Sequence, residues 1–302
     1  MTGKIISVNN IKIWYETFGH KHDPAILLIM GNSAQGIMWT DDFCEKIAAG
    51  KRYVIRFDNR DTGLSTCFDF GKNPYDLFDL AKDALSLLDA LEIKKAHIVG
   101  LSMGGSIAQL LAIYHADRIL SITSMMSSPD LSIKNDAFLG KDTSQATLPP
   151  PKKEFVEAVI ALNKIKPESR QEKIKQIVGN WRLANGEKAI FDEDDWLHMI
   201  ENAMTREESN PDARNVKFAN HSNHSKAQIA TTEPNLNTLK LISTPTLVIH
   251  GTEDPIFPPA HAKAVANSVI NGKLLLIDKM GHALNPIFFD QIIDAIIDHT
   301  NI

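Results

Sequence analysis

A serine flanked by glycines is the strongest chemical signal in the sequence. Ser102 is the third residue of GLSMGG (residues 100–105), a G-x-S-x-G pattern. The apolar residues before it predict a buried strand and the residues after it predict a helix, so Ser102 is expected in a tight turn where side chains at the glycines would crowd the helix. A serine that only caps a helix needs no such glycines. We therefore interpret Ser102 as a nucleophile.

A serine hydroxyl needs a general base at neutral pH, and histidine titrates in the useful range. Among 11 histidines, His282 stands out because it follows a predicted strand and a loop containing a glycine. That position lies at the carboxyl edge of the predicted sheet, where Ser102 also lies. Asp254 follows another predicted strand by a short loop and can hold the imidazole in the required tautomer. We expect Ser102, His282 and Asp254 to act as nucleophile, base and acid.

Alternatives remain for two of these roles. His250 ends a predicted strand and is the second candidate for the base, although it can simply satisfy local backbone groups. Glu253 and Asp278 are alternative acids, and Asp254 itself can serve as a turn former before proline. His221 and His224 form an H-x-x-H pair, but the Asn and Ser residues around them predict a solvated loop with no third ligand, so we expect no metal site there.

An oxyanion formed by attack on a carbonyl needs backbone N–H donors. The N–H of Met103, at the start of the helix after Ser102, is the expected first donor. The second is expected from the loop after the strand that ends at Met30, where we choose the N–H of Asn32. Turn formation is the alternative role of Asn32.

The elements that must position these residues alternate along the chain. Residues 4–18 predict an edge hairpin that turns at Asn9 and Asn10. Short apolar runs then alternate with helical patterns, as expected for parallel strands covered on both faces. The predicted strands are residues 25–30, 53–57, 96–99, 119–125, 245–250 and 273–277, and the predicted helices are residues 39–49, 77–91, 103–115, 259–269 and a last one that ends near residue 299. We predict an α/β fold with a mostly parallel, doubly wound sheet.

The alternation is interrupted in the middle of the chain. Residues 129–235 contain a triple proline, helical patterns and the acidic run 192–195. We predict that residues 1–128 and 236–302 form the core domain and that residues 129–235 form an inserted helical cap. The acidic run is expected to cap a helix N-terminus rather than to bind a metal.

Composition excludes several classes of partner. Lys and Arg total 32 against 37 Asp and Glu, a formal net charge of -5, which does not favour nucleic acid. No segment approaches the ~20 apolar residues that span a bilayer, and the N-terminus shows no secretory signal, so we expect a cytoplasmic protein. Cys44 and Cys67 are expected to be free thiols. The sequence does not define an oligomeric state.

The chain resembles the α/β-hydrolases, and within that superfamily it is similar to the aclacinomycin methylesterase-like esterases. The resemblance covers both halves of the predicted core and leaves the cap largely uncovered. Its motifs, in chain order, are Gly31-Asn32 with Trp39, DNRDTGLS (residues 58–65), GLSMGG (100–105), HGTEDP (250–255) and MGHAL (280–284). Many members have His-Gly where this chain has Met30-Gly31.

The resemblance implies an α/β-hydrolase fold and a serine esterase that acts on small, fairly apolar esters through an acyl-enzyme, with no metal or organic cofactor. It also implies structural roles for Asp58 and Arg60 near the oxyanion loop. Carbon-carbon bond hydrolases and cofactor-free perhydrolases use the same three side chains, so they remain alternatives. A ligand-binding protein that keeps the fold without catalysis is the alternative from another class.

Overall fold

The computed structural model describes residues 3–215 and 219–301, without the side chains of residues 214–215 and 219–222. Its strands are β1 (Lys4–Val8), β2 (Ile11–Phe18), β3 (Ala25–Ile29), β4 (Tyr53–Phe57), β5 (Ala96–Leu101), β6 (Ile119–Met125), β7 (Thr246–Gly251) and β8 (Lys273–Ile277). Its helices are α1 (Asp41–Ala49), α2 (Leu77–Ala90), α3 (Met103–Tyr114), α4 (Ser132–Phe138), α5 (Lys153–Lys164), α6 (Arg170–Asn185), α7 (Glu193–Ser209), α8 (Pro211–Asn215), α9 (Ala219–Ala230), α10 (Ala260–Ser268) and α11 (Phe289–His299).

The strands form one sheet in the order β1-β2-β4-β3-β5-β6-β7-β8. The first three strands of that order pair antiparallel, and every pair from β4 to β8 is parallel. The predicted hairpin is confirmed, with Asn9 and Asn10 at φ 47° and 62° between β1 and β2. The predicted fold class is also confirmed, because parallel strands alternate with helices on both sides of the insertion.

Apolar side chains cover both faces of the sheet. Leu27 and Ile29 of β3 pack on the face covered by α2, α3 and α10, whereas Ile26 and Leu28 pack on the face covered by α1 and α11. Strands β3, β5 and β7 are buried along their whole length. Burial on both faces explains why these strands are continuous apolar runs in the sequence. It also fixes the edge of the sheet at which the following loops emerge.

The chain between β6 and β7 runs through helices α4 to α9. The acidic run caps α7 as predicted, because the Asp192 side chain accepts hydrogen bonds from the N–H groups of Asp194 and Asp195. Trp196 and Ile200 of the same helix pack with the core residues on the α1 and α11 face. None of the helices in the described part of the chain has the length and apolar character needed to cross a bilayer.

Candidate active site

Ser102 lies in the turn between β5 and α3, with φ 55° and ψ -117°. This left-handed backbone conformation is uncommon for a residue with a side chain and is held here by its surroundings. A Cβ on Gly100 would lie 2.0 Å from the Gly104 carbonyl oxygen, and a Cβ on Gly104 would lie 2.1 Å from the Ile29 carbonyl oxygen. The glycines of the motif are therefore required by close backbone approach, as the sequence predicted.

Ser102, His282 and Asp254 meet at the carboxyl edge of the sheet. His282 Nε2 lies 2.9 Å from Ser102 Oγ, and His282 Nδ1 lies 2.8 Å from Asp254 Oδ2. An ionised carboxylate can only accept a hydrogen bond, so the imidazole proton resides on Nδ1 and leaves Nε2 free to accept from the serine hydroxyl. This arrangement can transfer a proton from Ser102 to His282 during attack on a carbonyl.

Asp254 is fully buried and uses both of its carboxylate oxygens. Oδ1 accepts hydrogen bonds from the N–H groups of Ile256 and Phe257 at 2.8 and 2.9 Å, while Oδ2 faces His282. Burial by itself would raise the pKa of Asp254, but the charge and hydrogen bond of His282, together with His250 and the Phe257 N–H, hold the pKa below its usual value. The carboxylate therefore stays ionised beside the imidazole.

The alternative base and acids lie elsewhere. His250 is fully buried behind Asp254, and its Nε2 donates to the Phe257 carbonyl at 2.6 Å. Glu253 pairs with Lys188, and Asp278 is exposed and accepts from the Thr252 hydroxyl. Within residues 3–215 and 219–301, none of these three side chains forms a hydrogen bond with Ser102 or His282.

The two residues predicted to supply oxyanion donors both lie close to Ser102. Met103 is the first residue of α3, so its N–H has no acceptor within the helix. Asn32 lines the same cavity as Ser102, and a Cβ added to the preceding Gly31 would lie 3.1 Å from the Ser102 Cβ. The loop of residues 31–36, named here the oxyanion loop, therefore packs closely against the serine at Gly31.

Helix α9 holds the oxyanion loop through His224, which was considered from the sequence only as a metal ligand, and Gln228, which was not identified. His224 Nδ1 accepts from the Ser33 N–H at 3.0 Å, and its Nε2 donates to the Arg60 carbonyl at 2.7 Å. One turn later, Gln228 Nε2 donates to Asn32 Oδ1 at 2.8 Å. The prediction of a solvated loop around His224 was wrong, because this residue lies on a helix and is buried. The side chain of His221, the other half of the H-x-x-H pair, lies outside the described residues.

Burial also determines the protonation of His224. Loss of solvent lowers its pKa to about 4, although the hydrogen bond to the Arg60 carbonyl acts in the opposite direction. The neutral ring can accept from one backbone group and donate to another, which a charged imidazolium cannot do. His224 is therefore a neutral bridge between the oxyanion loop and the segment of residues 58–65.

Residues of that segment make the structural contacts that the resemblance implies. Asp58 accepts from the Gly36 N–H at 2.7 Å and from Arg206 of α7 at 2.7 Å, and both charged side chains are buried. Arg60 forms a bidentate pair with Asp83 of α2 at 2.6 and 2.8 Å. Asp58 thereby links the far end of the oxyanion loop to the inserted segment.

The predicted free thiols are confirmed within the described chain, and both Cys44 and Cys67 are buried. Burial raises the pKa of Cys44 to about 12 and also raises the pKa of Cys67. Because the thiolate is the nucleophilic form, neither cysteine competes with Ser102.

A cavity of about 580 Å³ lies above Ser102 and His282, between the sheet edge and the inserted helices. This volume is in the range of sites for small molecules. The wall is mostly apolar, with Leu101, Phe138, Phe155, Ile177, Trp181 and Met204 among its residues. Among the described wall residues, Lys134 of α4 and Glu207 of α7 are the basic and acidic side chains apart from the histidine.

The fold and this arrangement of side chains define a class of protein. The chain belongs to the alpha/beta hydrolase fold family, whose model matches residues 24–286. It is 32% identical to the rhodomycin D methylesterase DauP of Streptomyces sp. (strain C5), over 99% of this chain and 98% of that protein. The predicted resemblance to methylesterases of this family is confirmed.

Solved structures agree on the fold. The enol-lactonase from Burkholderia xenovorans LB400 superposes with a TM-score of 0.68 at 21% identity, covering 98% of this chain and 99% of the lactonase. The meta-cleavage product hydrolase from Pseudomonas fluorescens IP01 superposes with a TM-score of 0.74 at 17% identity, covering 99% and 97% of the two chains. At these identities the similarity shows the fold alone.

Proposed function

We propose that this protein is a serine hydrolase that cleaves carboxylic esters, with methyl esters of small, fairly apolar molecules as its substrate class. The observation that carries the proposal is the continuous hydrogen-bond chain from Ser102 Oγ through His282 to Asp254, at 2.9 and 2.8 Å, below an apolar cavity. Relatives named as methylesterases that match almost the whole chain support the ester class.

The proposed reaction is acyl transfer in two steps. Ser102 Oγ attacks the ester carbonyl carbon while its proton moves to His282 Nε2, and the N–H groups of Asn32 and Met103 stabilise the oxyanion. The tetrahedral intermediate collapses, and the alcohol leaves with the proton from His282. A water molecule then gives a proton to His282 and attacks the acyl-enzyme, which releases the acid and restores the Ser102 hydroxyl.

We assign residues 129–235 as a cap domain on the core formed by residues 1–128 and 236–302. The contribution of α4 to α7 to the cavity wall supports this division. We further propose a cytoplasmic location. A small-molecule ester is the only partner that the proposed reaction requires besides water, because neither step uses a metal or an organic cofactor.

Labelling by a fluorophosphonate, read by intact-protein mass, tests the nucleophile. The wild type and Ser106→Ala should gain one adduct, and Ser102→Ala should gain none. Ser106 is a matched control because it is a buried serine in α3 whose hydroxyl faces Ser127. Hydrolysis of p-nitrophenyl acetate should follow the same pattern. The esterase would be rejected if the wild type hydrolyses this ester no faster than Ser102→Ala does but cleaves a carbon-carbon substrate. That result would favour the carbon-carbon bond hydrolase.

A further inference from the structure

Lys134 brings a positive charge into the wall of the catalytic cavity. It belongs to α4, and its side chain lines the same cavity as Ser102, Asn32 and His282. The residue is half-buried, and several wall residues around the cavity are apolar. A lysine on a surface helix normally extends into water, so this position is not explained by solubility.

The protein satisfies only part of the hydrogen-bonding capacity of this ammonium group. Lys134 Nζ donates one hydrogen bond within residues 3–215 and 219–301, to Gln228 Oε1 at 2.7 Å. No carboxylate of these residues lies within 4.0 Å of it, and Glu207 in the same wall does not pair with it. An ammonium group has three donors, so two remain for a molecule in the cavity.

The surroundings of Lys134 strengthen any contact with a negative group. Burial lowers its pKa to about 8, so the group is mostly protonated at neutral pH and has lost part of its hydration. A charge that has lost solvent interacts more strongly with an opposite charge than an exposed one does. A neutral acceptor would satisfy the hydrogen bonds but not the charge.

Lys134 is also coupled to the place where the ester must lie. Gln228 accepts from Lys134 with its Oε1 and donates with its Nε2 to Asn32 Oδ1 at 2.8 Å. One side-chain amide therefore separates the ammonium group from the oxyanion loop. A negative group bound by Lys134 would therefore lie on the side of the cavity next to Asn32.

We infer that the preferred substrate carries an ionised oxygen acid, such as a carboxylate or an enolate, which Lys134 binds while the ester lies over Ser102. The inference rests on the proposed esterase function and narrows its substrate class to apolar esters with one negative group. Glu207 lies on the α7 side of the cavity and would repel a negative group placed there. It therefore disfavours a substrate orientation in which the negative group points away from Lys134 and toward α7.

Paired substrates test this inference. Monomethyl esters of straight dicarboxylic acids, from succinate to suberate, are each compared with the neutral methyl ester in which an acetyl group replaces the carboxylate. The measured quantity is the ratio of kcat/KM for the two members of a pair, from methanol release. In the wild type the ratio should exceed 1 and reach a maximum at one chain length.

Lys134→Met should lower that maximal ratio by about 10- to 100-fold, which is the loss expected for one hydrogen bond between charged groups. Lys141→Met is the matched control, because it removes an exposed charge just beyond α4 that pairs with Asp136 of that helix, and it should leave the ratio within about twofold. Equal losses for both members of a pair would overturn the inference and assign Lys134 to holding Gln228 and the oxyanion loop. A wild-type ratio below 1 at every length would overturn it without any variant.

Binding separates this inference from the proposed function. Calorimetric titration of Ser102→Ala with the same pairs should show tighter binding of the carboxylate member, and the added Lys134→Met change should remove that difference. The result does not depend on turnover, so it still decides the role of Lys134 if no ester is hydrolysed. Equal affinity for both members would contradict the inference even in an active esterase.

Discussion

Replacement of His224 by leucine tests whether helix α9 positions the oxyanion loop. The change keeps a buried side chain of similar size but removes the acceptor for the Ser33 N–H and the donor to the Arg60 carbonyl. Each unpaired buried group costs about 1–3 kcal/mol, so the two groups together are expected to lower the free energy of unfolding by about 2–6 kcal/mol. Movement of Ser33 also displaces the adjacent Asn32 N–H.

The expected effect on catalysis follows from the proposed role of the Asn32 N–H as an oxyanion donor. Removal of a whole oxyanion donor costs about 10²- to 10³-fold in kcat, and His224→Leu displaces the donor without deleting it. We therefore expect kcat for p-nitrophenyl acetate to fall by about 10- to 100-fold, with a smaller change in KM. Stopped-flow measurement of the first release of p-nitrophenolate reports the acylation step directly, and urea unfolding reports the stability.

His97→Leu is the matched control. His97 is equally buried, lies on β5 five residues before Ser102 and contacts the Ser121 hydroxyl, far along the strand from the turn. Its loss should reduce stability while acylation stays within about threefold of wild type. If both variants are folded and their acylation rates are equal, His224 has a purely structural role. That result would refute the reasoning about the oxyanion loop.

Three further predictions concern the acid, the buried histidines and the turn. Asp254→Asn should lower kcat for p-nitrophenyl acetate by about 10³- to 10⁴-fold with unchanged circular dichroism, because an amide favours the wrong imidazole tautomer; a loss below tenfold would assign the acid role elsewhere. Burial lowers the pKa of both His97 and His224 to about 4, below the ordinary 6.5, so their contribution to stability is complete above pH 6.5 and is lost as the pH falls toward 4. Urea unfolding should therefore show a decrease of roughly 2 kcal/mol per histidine between pH 7 and pH 5, and an unchanged midpoint would contradict the neutral assignment. Gly104→Ala should lower the free energy of unfolding by about 2–4 kcal/mol in thermal melts, since its Cβ would lie 2.1 Å from the Ile29 carbonyl oxygen; a wild-type melting temperature would show that the turn can relax.

The core and the central side chains were predictable because local signals and sheet topology agree. Buried parallel strands produce apolar runs that are hard to mistake, and loops after such strands must emerge at one edge. Ser102, Asp254 and His282 each follow a strand of this kind, so their convergence follows from the alternation of strands and helices. The N-terminal capping of α7 was also predictable, because a run of acidic residues before Trp196 indicates the start of a helix from the local sequence alone.

Helix α9 was not predictable for the opposite reason. Its sequence, ANHSNHSKAQIA, has no apolar stripe, and its buried face includes Asn223, His224 and Gln228. Those side chains are buried because their hydrogen-bond partners lie near residues 32, 33, 60 and 68, more than a hundred positions earlier. Pattern rules for helices count apolar residues, so they interpret such a segment as solvated. The spacing of His224 and Gln228 by one helical turn was the available signal.

The attachments of the inserted helices determine which part of them can be exchanged between relatives. Backbone contacts such as the His282 N–H to the Ala184 carbonyl, at 2.7 Å, tolerate almost any sequence, whereas the bond between Arg206 and Asp58 and the two side chains of α9 do not. A chimera that transplants α4 and α5 alone would keep all of these attachments and would still replace a large part of the pocket wall. Exchange of that short stretch would therefore change the pocket wall and leave the contacts between the other inserted helices and the core in place.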